Sequence, residues 1–194
     1  SSTMLASSLS LPGTPTAATA AVDTNTTQIA TTAYVINQGY GKIALATSQA
    51  TTSGTVIDFT GIPSWVNRIT VLLSGVSSSG TSPFQVQLGT SGGFATSGYN
   101  ATAFINGSGF TASTTGLILV QAASAAGSYY GQYSVALVTG STWCGSGSVI
   151  GYNLNGGAAT GGVTLSGTLD RVRLTTVNGT DTFDLGNVNL LYQG

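Results

Sequence analysis

The chain has 194 residues, no histidine, no glutamate, 5% charged residues and a net charge of −1. Its four cations, Lys42, Arg68, Arg171 and Arg173, are too few to neutralise a phosphate backbone, which excludes nucleic acid as a partner. A hydrophobic content of 41% is too high for a disordered chain, so the remaining Ser, Thr, Asn, Gln and Gly are expected to clothe a folded domain with an uncharged surface.

Residues 1–16 carry two prolines among Ser and Thr and are expected to form an extended linker. Residues 17–46 are expected to form a short helical neck. Asp23, Thr24 and Asn25 offer capping oxygens, and Ile29, Ala33 and Ile36 (or Ala30 and Tyr34) follow at helical spacing. So narrow an apolar stripe cannot bury itself in one chain, and Ile29, Ala33 and Ile36 are therefore expected to pack against other copies around a common axis.

Composition shifts at residues 47–54, and from Thr55 the hydrophobic period becomes two. Residues 68–73, 84–88, 117–120, 132–138, 168–174 and 187–192 are the strongest strand candidates; 55–60, 102–105, 148–154 and 182–185 are weaker. Asn106-Gly107, Asn155-Gly156 and Asn178-Gly179 supply the positive φ angles of two-residue hairpins, and the segment around Asn178-Gly179 is the clearest hairpin candidate. Eight to ten short strands without intervening helices make residues 47–194 an all-β domain, an antiparallel β-sandwich or jelly roll.

Catalysis has little to work with. Without histidine there is no Ser–His pair and no imidazole metal ligand. Asp181 and Asp184 are the closest carboxylates, but their odd spacing points them to opposite faces of a strand, so turn solvation is the plainer role. No Asp-x-Asp-x-Asp loop suggests calcium, and neither a metal nor a cofactor is expected. Cys144 is alone and reads as a small buried apolar residue. Arg171 and Arg173 share one strand face, as salt-bridge partners of Asp58, Asp170 or Asp184 or as a site for an anionic sugar. Arg68 is expected to anchor an ion pair, and Trp65 to plug the core. The aromatic residues Phe94, Tyr99, Tyr129, Tyr130 and Trp143, with Asn100, lie in loop-like Gly- and Ser-rich segments and are the candidate ligand contacts, because ring faces stack on sugar C–H surfaces while amides and hydroxyls read sugar hydroxyls. Tyr133, alternating with Val135 and Leu137, is expected in the core.

Residues 24–35 (TNTTQIATTAYV) closely resemble a short segment of tail-fibre and side-tail-fibre proteins of tailed bacteriophages, where it lies between the fibre shaft and a C-terminal host-recognition domain. Residues 56–71 (VIDFTGIPSWVNRITV) and 187–192 (NVNLLY) are more loosely similar to the globular C-terminal module of phage and prophage tail proteins. The resemblance implies a homotrimeric virion protein joined to an upstream tail-fibre shaft. It would bind a bacterial surface glycan or outer-membrane protein during adsorption and would not be an enzyme. A structural fibre or decoration module that only assembles is the alternative.

Overall fold

The computed structural model describes residues 18, 20, 21, 42–105, 108–151 and 156–194. The chain divides into two compact units, 1–41 and 42–194, and the account below concerns the second. The expected neck helix with Ile29, Ala33 and Ile36 lies outside the described residues.

Fourteen strands make up the described part of this unit, with no helix among the described residues: β1 (Ile43–Leu45), β2 (Gln49–Ala50), β3 (Val56–Thr60), β4 (Arg68–Ser78), β5 (Phe84–Thr90), β6 (Gly93–Phe94), β7 (Asn100–Ile105), β8 (Ser108–Ser113), β9 (Leu117–Ile118), β10 (Tyr129–Thr139), β11 (Thr142–Ile150), β12 (Gly156–Thr164), β13 (Arg171–Thr176) and β14 (Phe183–Gln193). A nine-stranded antiparallel sheet runs β1-β14-β4-β10-β11-β12-β7-β8, with β2 also on β14. A five-stranded sheet runs β3-β13-β5-β6, with β9 on β5. The two pack as a sandwich, the outcome expected for an alternating chain with one buried face per sheet.

The core follows from that alternation. Ile69, Val71 and Leu73 of β4 and Tyr133 and Val135 of β10 turn inward from the large sheet; Phe84, Val86 and Leu88 of β5 and Val172 and Leu174 of β13 turn inward from the small one. Phe84 sits at the centre, edge-on to Tyr129 with centroids 5.1 Å apart and 5.9 Å from Phe183. Trp65 is partly buried against the core, as a plug should be, and Lys42 Nζ lies 5.6 Å from its ring centroid.

Three expectations need correction. The segment around Asn178-Gly179 is not a hairpin: β13 pairs with β3 and β5 in the small sheet, whereas β14 pairs with β1, β2 and β4 in the large one. The turn, closed by Gly179 N–H donating to Thr176 O (3.1 Å), carries the chain from one layer to the other. Residues 43–45, assigned to the neck, form β1 and pair with β14. Cys144 is exposed, because β11 places it on the outward parity between inward Trp143 and Gly145.

Glycine contributes strand as well as turn. Gly145 lies inside β11 on the inner face, where an added Cβ would come within 2.7 Å of Tyr133 Cε1 and Val135 Cγ1. The Tyr133 ring occupies that space and its hydroxyl donates to Gly145 O at 3.0 Å.

Truncating the central ring should be costly. Phe84→Ala is expected to lower the unfolding free energy by about 3–5 kcal/mol, measured by urea denaturation.

Candidate functional site

Register lines up the outer face of the large sheet in rows. One row runs Leu191–Thr70–Ser134–Ser146–Thr160–Thr102–Ala112 across seven strands. The next runs Asn189–Leu72–Gln132–Ser148–Ala158–Phe104–Phe110. Beyond it Tyr130 pairs with Ile150, which faces Gly156. Small side chains over β11 and β12, with bulkier ones on β10 and β7, leave two adjoining hollows of about 820 and 580 Å³. Phe104, Ser148 and Ala158 line both, so they form one groove.

Tyr130 bounds the larger hollow and is 53% exposed. Its hydroxyl lies over Gly75, whose φ of +66° marks an irregularity in the β4–β10 pairing; a Cβ there would stand 3.2 Å from the Tyr130 oxygen. Phe104, 47% exposed, bounds the groove on the β7 side, and its register partner Phe110 is 74% exposed. The floor between is hydroxyl and methyl, with Thr70 and Ser134 hydrogen-bonded to each other at 2.8 Å. No carboxylate lines the groove among the described residues, and the cation that lines it is Arg68.

The other cations are engaged. Arg173 holds Asp58 through two bonds, Nε–Oδ1 at 2.7 Å and Nη2–Oδ2 at 2.8 Å, and lies 4.1 Å from the Phe94 ring centroid. Arg171 holds Asp170 at 2.9 Å and donates to Ser91 O at 3.0 Å. These are the salt bridges expected for the pair. Arg68 forms no ion pair among the described residues, contrary to its expected role, because its outward position on β4 faces Gln193 and Ala136 and no acid.

The six residues singled out as ligand contacts do not come together. Tyr130 lines the groove. Asn100 is exposed on the same sheet face at the edge of β7, in register with Gly162. Phe94 is on the opposite sheet under Arg173, with one ring face taken. The expectation of Tyr99, Tyr129 and Trp143 as ligand contacts in loop-like segments is corrected, since these are 3%, 5% and 2% exposed core residues. Tyr99 accepts from Leu88 N–H at 2.7 Å and donates to Leu88 O at 3.2 Å, pinning its loop to β5. Tyr129 packs on Phe84. Trp143 stands on the inner face between Leu137 and Val163, with no acceptor for its indole N–H among the described residues.

Phe104, Gln132, Ser134, Ser146, Ser148 and Thr160 escaped the sequence reading. Parity would have found part of the set: once Tyr133 and Val135 are core, Tyr130, Gln132 and Ser134 must face outward and Tyr129 inward. Phe104 and the β11–β12 hydroxyls carried no signal, because their neighbours are a matter of register.

A smaller hollow on the small sheet, about 310 Å³ and lined by Gln87, Thr115, Arg173, Thr175 and Asn178, is internally satisfied. Gln87 Nε2 donates to Thr115 O at 2.9 Å, Gln85 Oε1 accepts from Ser113 and Thr115, and Arg173 is neutralised by Asp58. Asp181 accepts from Ser82 N–H and Asn178 Nδ2 and so serves the crossover turn, while Asp184 is exposed on β14. Among the described residues no group of three or more His, Cys, Asp and Glu is placed to hold a metal ion. In comparisons with known proteins no family model, no curated protein and no solved structure matches the chain.

Burial raises the Tyr99 phenol from 10.0 to about 12, opposed only in part by its bond with Leu88. Burial also raises the Tyr133 phenol. The unfolded chain ionises Tyr99 first, so its contribution is whole below pH 10 and is lost as pH climbs through about 12. Tyr99→Phe should cost about 1–3 kcal/mol at neutral pH by stranding Leu88 N–H. It should also flatten the alkaline fall in stability, read from urea midpoints taken up to about pH 12.

Proposed function

We propose that this chain is the distal, receptor-binding part of a tailed-phage fibre, and that the outer face of its large sheet takes a bacterial surface glycan. The observation that carries this reading is the groove itself: a single concavity bounded by Tyr130 and Phe104, floored by the neutral side chains of Gln132, Ser134, Ser146, Ser148 and Thr160, with Arg68 at one end. Ring faces offer apolar C–H contacts to a pyranose, and neutral amides and hydroxyls exchange hydrogen bonds with its hydroxyls at little desolvation cost. With no carboxylate pair across the groove among the described residues, binding without hydrolysis is the activity such a surface supports.

The phage assignment rests on the resemblance of residues 24–35. From it come the proposed place on the virion, the attachment to an upstream shaft and the number of three chains; the helical neck that would join them comes from the helical spacing of Ile29, Ala33 and Ile36. Three shallow sites on one rigid tip would gain avidity that none has alone. The second reading, a trimeric structural module, draws on Ile43 and Leu45, 64% and 63% exposed on edge strand β1.

Adsorption of the fluorescently labelled protein to a panel of bacteria, with purified surface polysaccharide as competitor, tests the proposal. Strain-selective labelling abolished by the glycan is expected. Labelling lost when the cells are treated with protease would instead point to an outer-membrane protein, and no labelling of any strain would favour the structural module. Tyr130→Ala with Phe104→Ala should weaken adsorption about tenfold at unchanged melting temperature, since each stacking contact is worth about 0.5–1.5 kcal/mol. Tyr129→Ala should instead lower the melting temperature, because it empties a core site. Light scattering of the full chain should give three times the single-chain mass; a monomer at micromolar concentration would remove the trimer.

A further inference from the structure

We infer that the groove selects an acidic glycan, and that Arg68 is the residue that reads its carboxylate. This rests on the glycan-binding reading above and narrows its ligand class. All four cations of the chain lie in the described region, and three are already occupied: Lys42 by the Trp65 ring, Arg171 by Asp170 and Arg173 by Asp58. Arg68 is exposed, forms no ion pair among the described residues, and lines the groove at the end away from Tyr130.

The placement follows from register. Arg68 pairs with Ala136, and Tyr130 lies six residues back along β10, so the two backbone positions are separated by about 20 Å at ordinary strand rise. Between them the lining is neutral: Gln132, Ser134, Ser146 and Ser148. Such a span accepts a short oligosaccharide lying along β10, with hydroxyls over the floor, a ring against Tyr130 and one anionic substituent at Arg68. A planar guanidinium presents paired N–H donors that match a carboxylate. The absence of any acid from the lining, among the described residues, leaves that charge uncompensated by the protein. Uronic acids and other carboxylated sugars have the required chemistry. Arg171 and Arg173, the alternative seats for an anionic sugar, are closed to that role by their own aspartates.

The test uses the full chain on an array of purified bacterial capsular and O-antigen polysaccharides, each printed in native form and after chemical reduction of its carboxyl groups to alcohols. Binding is expected to acidic polysaccharides and to be lost on their reduction. Arg68→Gln should weaken it about tenfold, as loss of a charge-assisted hydrogen bond does, while Arg171→Gln should leave it within about twofold, a control for general charge. Raising salt should weaken the wild type and leave Arg68→Gln little changed. Arg68→Lys, which keeps the charge and loses the fork, should fall between the two, and melting temperatures confirm that each variant is folded. Equal binding to native and reduced polysaccharide, or unaltered binding by Arg68→Gln, would overturn the inference and leave the glycan-binding reading standing. Failure of the wild type to bind any polysaccharide, native or reduced, would sink both.

Discussion

The pairing register of β4, β10, β11, β12 and β7 is the constraint on which the rest of the molecule depends. Its buried row runs Leu190–Val71–Tyr133–Gly147–Ala159–Ala103, apolar throughout and closed from water by the small sheet. A slip of one residue on any of these strands would turn its inner set to solvent and its serines and threonines into the core. Because the inner row cannot slip, neither can the outer rows, and residues from β10, β11, β12 and β7 meet as a groove although up to 56 positions separate Phe104 from Thr160 in the chain.

Size alternation then shapes both faces. On the inside, Tyr133 and Trp143 project from a sheet whose facing positions include Gly145, Gly147 and Gly161. At Gly147 a Cβ would lie 2.2 Å from Gln132 O, and at Gly161 2.6 Å from Ala101 Cβ, so these strands approach more closely than residues with side chains allow. On the outside, the short side chains of β11 and β12 sink the floor between Tyr130 and Phe104. Glycine ordinarily weakens a strand; here the loss is offset by rings laid over its backbone.

Charge acts by being scarce. Two arginine–aspartate pairs, each about one-quarter to one-third exposed, hold the small sheet's outer face: Arg173 grips both oxygens of Asp58 and is also stacked on Phe94, and Arg171 meets one oxygen of Asp170. Such half-exposed pairs add modest stability. Their larger consequence is electrostatic: they cancel within the small sheet and leave Arg68 as the one cation lining the large sheet's groove among the described residues.

Period, composition and turn chemistry let the sequence by itself determine the all-β class, the sandwich, the inward parity of Tyr133, Val135, Val172 and Leu174, and the engagement of Arg171 and Arg173 with acids. Those properties are local: alternation needs only neighbours two apart, and a near-neutral chain offers its arginines few partners. The glycine-rich strands β11 and β12 were only partly legible, because glycine and serine carry no strand propensity and order there comes from neighbours on both sides. Tyr99, Tyr129 and Trp143 looked like loop aromatics because their flanks are Gly and Ser, yet Phe84, Leu88 and Val163 bury them. Whether Asn178-Gly179 closes a hairpin or crosses between layers was equally beyond the sequence, since the same turn serves both and only the partners of β13 and β14 decide. Tertiary structure alone joined Arg68, Tyr130 and Phe104 on one surface, because a sheet's outer face is assembled across strands, by hydrogen-bond register between residues that sequence proximity does not connect.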